Sequence, residues 1–119
     1  MYYCFDKENI TEYTVTKDIT HIEDGAFYGC TSLKKVTFES CLLKLSDSLF
    51  EKCINLKEVI LPDYLEIIGN KTFKHCSSLE TISLPPTLSS IGEWAFAFCR
   101  KLQINLPDEL ERIKMGAFM

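Results

Sequence analysis

Apolar residues recur along this chain of 119 residues at a fixed interval of 23 positions. Phenylalanine and cysteine mark the interval most clearly, at Phe27, Phe50, Phe73 and Phe96 and at Cys30, Cys53, Cys76 and Cys99. Leucine and isoleucine keep the same register at several further positions. After Leu102 the pattern arrives one residue early, so one residue has been lost before Ile104. A repeat of this length predicts stacked copies of one structural unit.

The spacing of apolar residues changes within each unit. Phe27, Cys30 and Leu33 are three apart, which predicts one side of a short helical or 3₁₀ turn, whereas Val36 and Phe38 alternate, which predicts a strand. Because every strand enters in the same direction, stacking the units gives a parallel sheet. The predicted strands are 36–38, 59–61, 82–84 and 104–106. Residues 1–119 are therefore expected to form a single domain of about four whole repeats with half-repeats at both ends.

A longer motif carries a family resemblance. The pattern L-x-x-I-x-L-P-x-x-L-x-x-I-G-x-x-A-F-x-x-C, which runs from Leu79 to Cys99, resembles the leucine-rich repeats of the BspA-like family. The resemblance covers about residues 10–119, and Gly follows the second isoleucine of the pattern at Gly69 and Gly92. It implies an α/β solenoid, that is, a right-handed superhelix with a short-stranded parallel concave sheet. It also implies a non-enzymatic protein used for adhesion or protein binding, commonly at the surfaces of bacteria and protists.

Composition narrows the class of protein further. A hydrophobic fraction of 46%, a charged fraction of 25% and only 5 Gly and 4 Pro describe a chain that forms a core. Thirteen basic and 17 acidic residues give a formal net charge of −4, so a nucleic-acid partner is not expected. No apolar run approaches the ~18 residues of a spanning helix, and the N-terminus lacks a signal-peptide pattern. As written, the chain is expected to be cytoplasmic and not inserted in a membrane. The cell surface is the alternative location if the chain is part of a longer protein.

Six cysteines raise the question of a disulfide framework or a zinc site. The nearest two, Cys30 and Cys41, are too far apart in sequence for a metal motif. Cysteines of neighbouring repeats would lie about 4.8 Å apart, within disulfide range, but their Cβ vectors should run parallel into the core. We expect these four repeat cysteines to be buried free thiols, with oxidised pairs or a metal as the alternatives. Cys4 and Cys41 lie outside the repeat positions and are expected to be more reactive.

Other candidate chemistry is sparse. His21 and His75 occupy different positions in the repeat, and no phosphate loop or nucleophile motif occurs, so neither catalysis nor a cofactor or metal is expected. Trp94 replaces smaller or more polar residues of the other units, so it is either an exposed binding hot spot or packed on its neighbour. Glycosylation sequons start at Asn9 and Asn70, but without an export signal their use is not expected.

The predicted sheet offers one candidate binding surface. Strand alternation directs eight positions outwards: Lys35, Thr37, Glu58, Ile60, Thr81, Ser83, Gln103 and Asn105. This set is mixed and mostly neutral, which suits a protein partner but also a sheet that is merely solvated. Its area of ~240 Å² is well below the ~800 Å² that each partner contributes to a stable interface. The hypothesis is a protein-interaction or adhesion module, and the alternative is a structural spacer or a fragment of a longer repeat array.

The ends of the predicted solenoid raise the possibility of self-association. A stack of repeats needs a polar cap at each end, because an uncovered repeat exposes its apolar side. The last residues begin a fifth turn and stop before its strand, so we expect self-association through the C-terminal repeat or fraying of 107–119. The apolar N-terminal residues Tyr2, Tyr3, Cys4 and Phe5 are expected to fold over the first strand.

Overall fold

The computed structural model describes residues 10–108 and 110–119. Within them the chain is a solenoid in which short parallel strands form two sheets joined by turns. The strands are β1 (Glu12–Val15), β2 (Lys35–Phe38), β3 (Lys44–Leu45), β4 (Glu58–Ile60), β5 (Ile67–Ile68), β6 (Thr81–Ile82), β7 (Ser90–Ile91) and β8 (Arg112–Ile113). The first sheet has the order β1-β2-β4-β6 and the second has the order β3-β5-β7-β8. Each circuit of the chain through both sheets is called a rung below.

The first sheet contains the strands that alternation predicted, but it narrows along the solenoid. Four residue pairs join β1 to β2, three join β2 to β4 and two join β4 to β6. Beyond β6 a single bridge pairs Thr81 with Gln103. The predicted strand at 104–106 is therefore wrong, since residues 104–106 are not in a strand. The residue lost between Leu102 and Ile104 shortens this rung, which leaves too little chain to continue the ladder.

The second sheet was not predicted. Its strands bury Leu45, Ile68 and Ile91, which pair rung to rung with the expected spacing. Each of these strands is only two residues long, so it contains no alternation for a sequence pattern to reveal.

The segments that carry Phe and Cys are turns, as their three-residue spacing predicted, and the amide of each repeat Cys donates to the carbonyl of the Phe three residues earlier. These turns span residues 24–29, 47–52, 70–75, 93–98 and 115–118, and no helix occurs in the part of the chain that the structure describes. The α/β description is therefore not confirmed, and the right-handed superhelix stays a prediction. In each of the second, third and fourth turns two residues have a left-handed backbone: Ser48 and Lys52, Lys71 and His75, Trp94 and Phe98, with φ between 57° and 65°. A right-handed helix cannot continue through them.

Backbone amides of these turns bond to the next rung. The amides of Phe27, Phe50, Phe73 and Phe96 donate to carbonyls one rung further on at 2.7–3.0 Å. The left-handed residues on either side of each Phe donate in the same way, for example Ser48 to Asn70 at 2.8 Å and Lys52 to Lys74 at 2.8 Å. We call this array the turn ladder. It satisfies amides that would otherwise be left unpaired in the interior.

The core is organised around a column of phenylalanines. Phe27, Phe50, Phe73, Phe96 and Phe118 stack with ring centroids 5.2–5.5 Å apart and interplanar angles of 5–19°. The first four rings are buried, whereas Phe118 at the C-terminal end is 41% exposed. Such aromatic pairs contribute ~0.5–1.5 kcal/mol each beyond the burial of their apolar area.

A second column consists of thiols. The Sγ atoms of Cys53, Cys76 and Cys99 donate to the carbonyl oxygens of the phenylalanines one rung earlier, at 3.0–3.1 Å. These three cysteines are free, and Cys53 and Cys76 are buried as predicted, whereas Cys99 is half-buried.

The expectation of a free thiol is wrong for Cys30, which is buried but disulfide-bonded. The segment 1–9, with Cys4 and the predicted N-terminal cap, lies outside the described residues.

A column of short polar side chains links the starts of the turns. Asp24 Oδ1 accepts from the amide of Asp47, Asp47 Oδ1 from Asn70, and Asn70 Oδ1 from Glu93, at 2.8–3.1 Å. The two glycines of the sequence motif lie against this column. A Cβ on Gly69 would approach Asp47 Oδ1 to 2.5 Å. The motif glycine is therefore required by the close approach of the preceding rung.

Replacing Gly92 tests this packing. Its Cβ would lie 2.6 Å from both Asn70 Oδ1 and the carbonyl carbon of Gly69, so Gly92→Ala should lower the free energy of unfolding by ~2 kcal/mol through overpacking. Gly29→Ala is the control, because an added Cβ meets nothing within 4 Å there and the residue pays only for its left-handed φ of +69°, ~1 kcal/mol. Urea denaturation measures both variants, and a larger loss at Gly29 would contradict the packing argument.

The buried thiols predict a dependence of stability on pH. Burial raises the pKa of Cys53 and of Cys99 from 9.0 to about 12, and raises that of Cys76 well above 9.0. The unfolded chain releases these protons near its ordinary thiol pKa, whereas the folded chain retains them. The stabilisation is therefore complete below about pH 9 and is lost as the pH rises towards 12, with a slope of up to ~1.4 kcal/mol per pH unit for each thiol.

Urea denaturation between pH 8 and 11 measures this slope. Cys76→Ala should lower the free energy of unfolding by ~1–2 kcal/mol at pH 8, because it empties a small buried site. It also removes one of the titrating groups, so the stability of the variant should fall less steeply with pH than that of the original chain. Equal slopes for Cys76→Ala and the original chain would show that these thiols do not control the alkaline transition.

Candidate functional site

The outward side of the first sheet brings most of the predicted site residues together. Lys35, Glu58 and Thr81 are paired laterally across three strands, and the bridge from Thr81 extends this row to Gln103. Thr37 pairs with Ile60 in a second row. All eight predicted residues are exposed or half-buried, including Ser83 and Asn105, which lie beyond the strands. The structure thus confirms that they face solvent, and their role in binding stays a prediction.

Two residues of this surface escaped the sequence prediction. Glu12 pairs with Lys35 and Thr14 pairs with Thr37, so both rows extend onto β1. Both residues are exposed. Their position 23 residues before Lys35 and Thr37 could have identified them as outward residues from the sequence.

The electrostatics of the surface are weak. Lys35 Nζ lies 3.9 Å from Glu58 Oε1, with relative side-chain exposures of 38% and 55%. An exposed ion pair of this kind contributes ~0–1 kcal/mol. Apart from Glu12 on β1, the remaining residues of the surface are uncharged, and Ile60 is 44% exposed among them. This apolar side chain on a solvated sheet is the clearest candidate contact.

A groove of about 430 Å³ opens beside Ile60. It lies where β4 and β6 separate, because their pairing ends at Val59 and Ile82. The two chains diverge before they reach Pro62 and Pro85, which lack the amide that a later ladder bond would require. Four predicted residues line this groove: Glu58, Ile60, Thr81 and Ser83.

The loops after the strands complete the groove, and sequence reasoning missed them. Asp63 and Pro86 contribute to its wall together with Pro62 and Pro85. Proline at the end of successive strands was visible in the sequence. The groove itself was not visible, because it depends on how far the two chains separate in space.

Trp94 lies on a turn and not on the sheet. The residue is half-buried, and its ring covers Gly116, where an added Cβ would lie 2.9 Å from the indole. Lys74 Nζ is 5.7 Å from the centroid of the same ring. Packing on the next rung therefore accounts for much of its surface, and a hot-spot role stays a prediction.

The repeat geometry described above agrees with a comparison of the sequence with protein families. The whole chain, residues 1–119, matches the BspA type leucine rich repeat region in six copies. The chain belongs to the BspA-type leucine-rich repeat family. No protein with a curated description matches it.

Solved structures of bacterial repeat proteins share the fold of this BspA-type chain. A leucine-rich repeat protein from T. pallidum superposes with a TM-score of 0.86 at 31% identity, covering 90% of this chain and 53% of that protein. A leucine-rich cell surface protein from Faecalibacterium prausnitzii has a TM-score of 0.86 at 32% identity, covering 98% and 32%. A leucine-rich repeat protein from Eubacterium ventriosum has a TM-score of 0.86 at 29% identity, covering 92% and 30%. The chain thus spans about half of the first protein and about a third of the other two.

The remaining candidates for chemistry in this BspA-type domain are dispersed. Cys41 is an exposed free thiol beside a second cavity of about 440 Å³, which His21 and Asp24 also line. Among residues 10–108 and 110–119 no group of three or more His, Cys, Asp or Glu side chains is arranged to hold a metal ion. No helix long and apolar enough to cross a membrane occurs in the same residues.

Residues of the sequon at Asn70 make hydrogen bonds within the solenoid. Its Thr72 is fully buried, and the hydroxyl donates to the carbonyls of Ser46 and Gly69 at 3.1 and 2.8 Å. Asn70 Oδ1 accepts from Glu93, as described above. The other sequon residue, Asn9, lies outside the described residues.

Proposed function

We propose that this BspA-type repeat domain is a non-enzymatic protein-interaction or adhesion module whose partner contacts the outward side of the first sheet. The observation that carries the proposal is the exposed Ile60 beside the groove, where it is the last paired residue of one of two laterally registered rows of mainly uncharged residues. A neutral face with one apolar contact suits a protein partner better than a phosphate-bearing one. Metal and cofactor chemistry has no part in this role.

The size of the sheet limits its affinity. Its outward side offers ~240 Å² against the ~800 Å² per partner of a stable complex, so the loops around the groove must contribute or binding is weak. A longer repeat array would provide a larger face. The F. prausnitzii relative, of which this chain spans about a third, is described as a cell surface protein, and we propose the same location for this domain.

A triple variant tests the binding face. Glu58→Ala, Ile60→Ser and Thr81→Ala change three exposed outward side chains. Glu58 and Thr81 are paired across neighbouring strands. None of them is part of the core, so the variant should stay folded. Any protein captured by the immobilised original chain should bind this variant at least about tenfold more weakly, a loss of ~1.4 kcal/mol.

The second sheet provides a matched control. Glu66→Ala, Ile67→Ser and Ser90→Ala make the same types of change on the second sheet, where Glu66 precedes β5, Ile67 is on β5 and Ser90 is its partner on β7. Ile67 is 38% exposed, compared with 44% for Ile60. This control should keep the affinity of the original chain. A binding isotherm that is unchanged in the first-sheet variant would instead move the site to the loops or to Trp94.

The C-terminal rung supports the alternative of a fragment or spacer that associates with further repeats. Met115, Phe118 and Met119 are 72%, 41% and 69% exposed at this end. Among the described residues the amides of Gly116 and Phe118 donate to no backbone carbonyl, although their equivalents in earlier turns all do. With both features, a further rung could stack on this end, bury the apolar side chains and supply carbonyl acceptors for the two amides.

Self-association and fraying are measured on one sample. Light scattering should show a mass that rises with concentration, or hydrogen exchange should be fastest in residues 107–119, because the amides of Gly116 and Phe118 have no backbone acceptor among the described residues. Phe118→Ser should reduce the association without affecting the buried rungs. If the chain is a monomer at all concentrations and its C-terminus is fully protected, the C-terminal rung does not bind a further rung.

A further inference from the structure

Two neighbouring rungs concentrate positive charge on a chain that is negative as a whole. Segments 71–78 and 94–101 contain Lys71, Lys74, Arg100 and Lys101 but no Asp or Glu, whereas the formal net charge of the protein is −4. Neither the first-sheet surface nor the groove includes any of these residues. This group of four cations is therefore separate from the proposed protein-binding face.

The rungs bring these segments into contact. The rings of Phe73 and Phe96 stack at 5.2 Å, and those of His75 and Phe98 stack at 4.6 Å with an interplanar angle of 5°. The two segments are thus one rung apart along their length. The charges of four cations are held on adjacent rungs by a rigid stack.

These cations are not neutralised within the protein. In the described part of the chain no ion pair involves Lys71, Lys74, Arg100 or Lys101, and all except the half-buried Lys74 are exposed. Two acidic residues border the group: Glu93, at the start of the fourth turn, and Glu51, which occupies the position of Lys74 one rung earlier. Uncompensated charge of one sign on a fixed frame attracts a ligand of opposite charge.

Apolar surface lies among the cations. Phe98 is 40% exposed, and the half-buried Trp94 has the Lys74 ammonium 5.7 Å from its ring centroid. We call this surface the basic turn patch, defined by Lys71, Lys74, Trp94, Phe98, Arg100 and Lys101. Aromatic and basic side chains together favour a segment that carries both carboxylates and an apolar side chain.

We propose that the basic turn patch binds a short acidic segment of a partner protein, with its carboxylates on the four cations and an apolar side chain on Phe98. This site is independent of the first sheet, so it stands or falls separately from the proposed function. A nucleic acid fits less well, because it carries charge beyond the patch onto the acidic remainder of the protein. A short peptide stays within about one Debye length, ~8 Å, of the cations.

Two labelled peptides test the proposal. A fluorescein-labelled, amidated peptide Glu-Glu-Phe-Leu-Glu-Glu should raise its anisotropy on titration with the full chain, with a dissociation constant below ~1 mM at low salt. The peptide in which Gln replaces each Glu should bind at least about tenfold more weakly, and added salt should weaken the acidic peptide only. Trp94 is the single tryptophan of the chain, so the unlabelled acidic peptide should also change the intrinsic fluorescence.

Charge-matched variants locate the site. Lys71→Gln, Lys74→Gln, Arg100→Gln and Lys101→Gln together should weaken the acidic peptide about tenfold or more. The control changes three other exposed lysines and one exposed arginine: Lys34→Gln, Lys44→Gln, Lys57→Gln and Arg112→Gln. The control has the same net charge and should retain most of the affinity, as should the first-sheet triple variant.

Three outcomes overturn the proposal. The acidic peptide fails to bind, or both quadruple variants weaken it equally, which shows a general effect of net charge. Alternatively, a labelled oligothymidylate of about 12 nucleotides binds the patch more tightly than the peptide does, which assigns the site to nucleic acid.

Discussion

Hydrogen bonding between successive rungs is the constraint on which the rest of this molecule depends. Each Phe–Cys turn leaves three amides, such as those of Ser48, Phe50 and Lys52, that no helix satisfies, and the next rung supplies their acceptors. The acceptors are in place only if every rung has nearly the same length. The repeat interval follows from this requirement, and the stacked phenylalanines and thiols can then occupy identical sites in each rung.

The one shortened rung shows what the constraint permits. The loss of a residue after Leu102 leaves the turn ladder intact, since Trp94, Phe96 and Phe98 still find acceptors in the last turn. The first sheet absorbs the change instead and retains only the bridge to Gln103. Its residues are exposed on one side, so a lost ladder bond there can be replaced by water, whereas a lost bond beside the core cannot.

The sequence predicted those features that repeat in residue type. The core columns, the parallel first sheet and its outward side chains all follow from periodicity, so the candidate surface was largely foreseeable. The spacing predicted turns at the Phe–Cys segments, but the α/β description is not confirmed, because Ser48 and Lys52 adopt a backbone conformation that only Gly25 and Gly29 would signal at the equivalent positions. The groove and the basic turn patch depend on which rungs become neighbours, and this emerges only when the repeats are stacked.

A solenoid separates the requirements of folding from those of recognition. The core columns fix the spacing of the rungs, and each solvent-facing column can then carry a different chemistry. The first sheet carries mostly uncharged residues and an exposed isoleucine beside the groove, whereas segments 71–78 and 94–101 are basic and aromatic. Substitutions on one column need not disturb another, because each rung contacts only its neighbours.

The turn ladder also gives the solenoid an electrical direction. In the peptide group between Leu49 and Phe50 the carbonyl accepts from the preceding rung and the amide donates to the following one. Equivalent peptide groups repeat in each turn, so their dipoles of ~3.5 D align head to tail along the axis, as they do in a helix. Peptide dipoles in the sheets alternate and largely cancel. The turn side therefore has its positive pole at the C-terminal edge, beside Gly116 and Phe118, where the backbone itself favours a negatively charged neighbour.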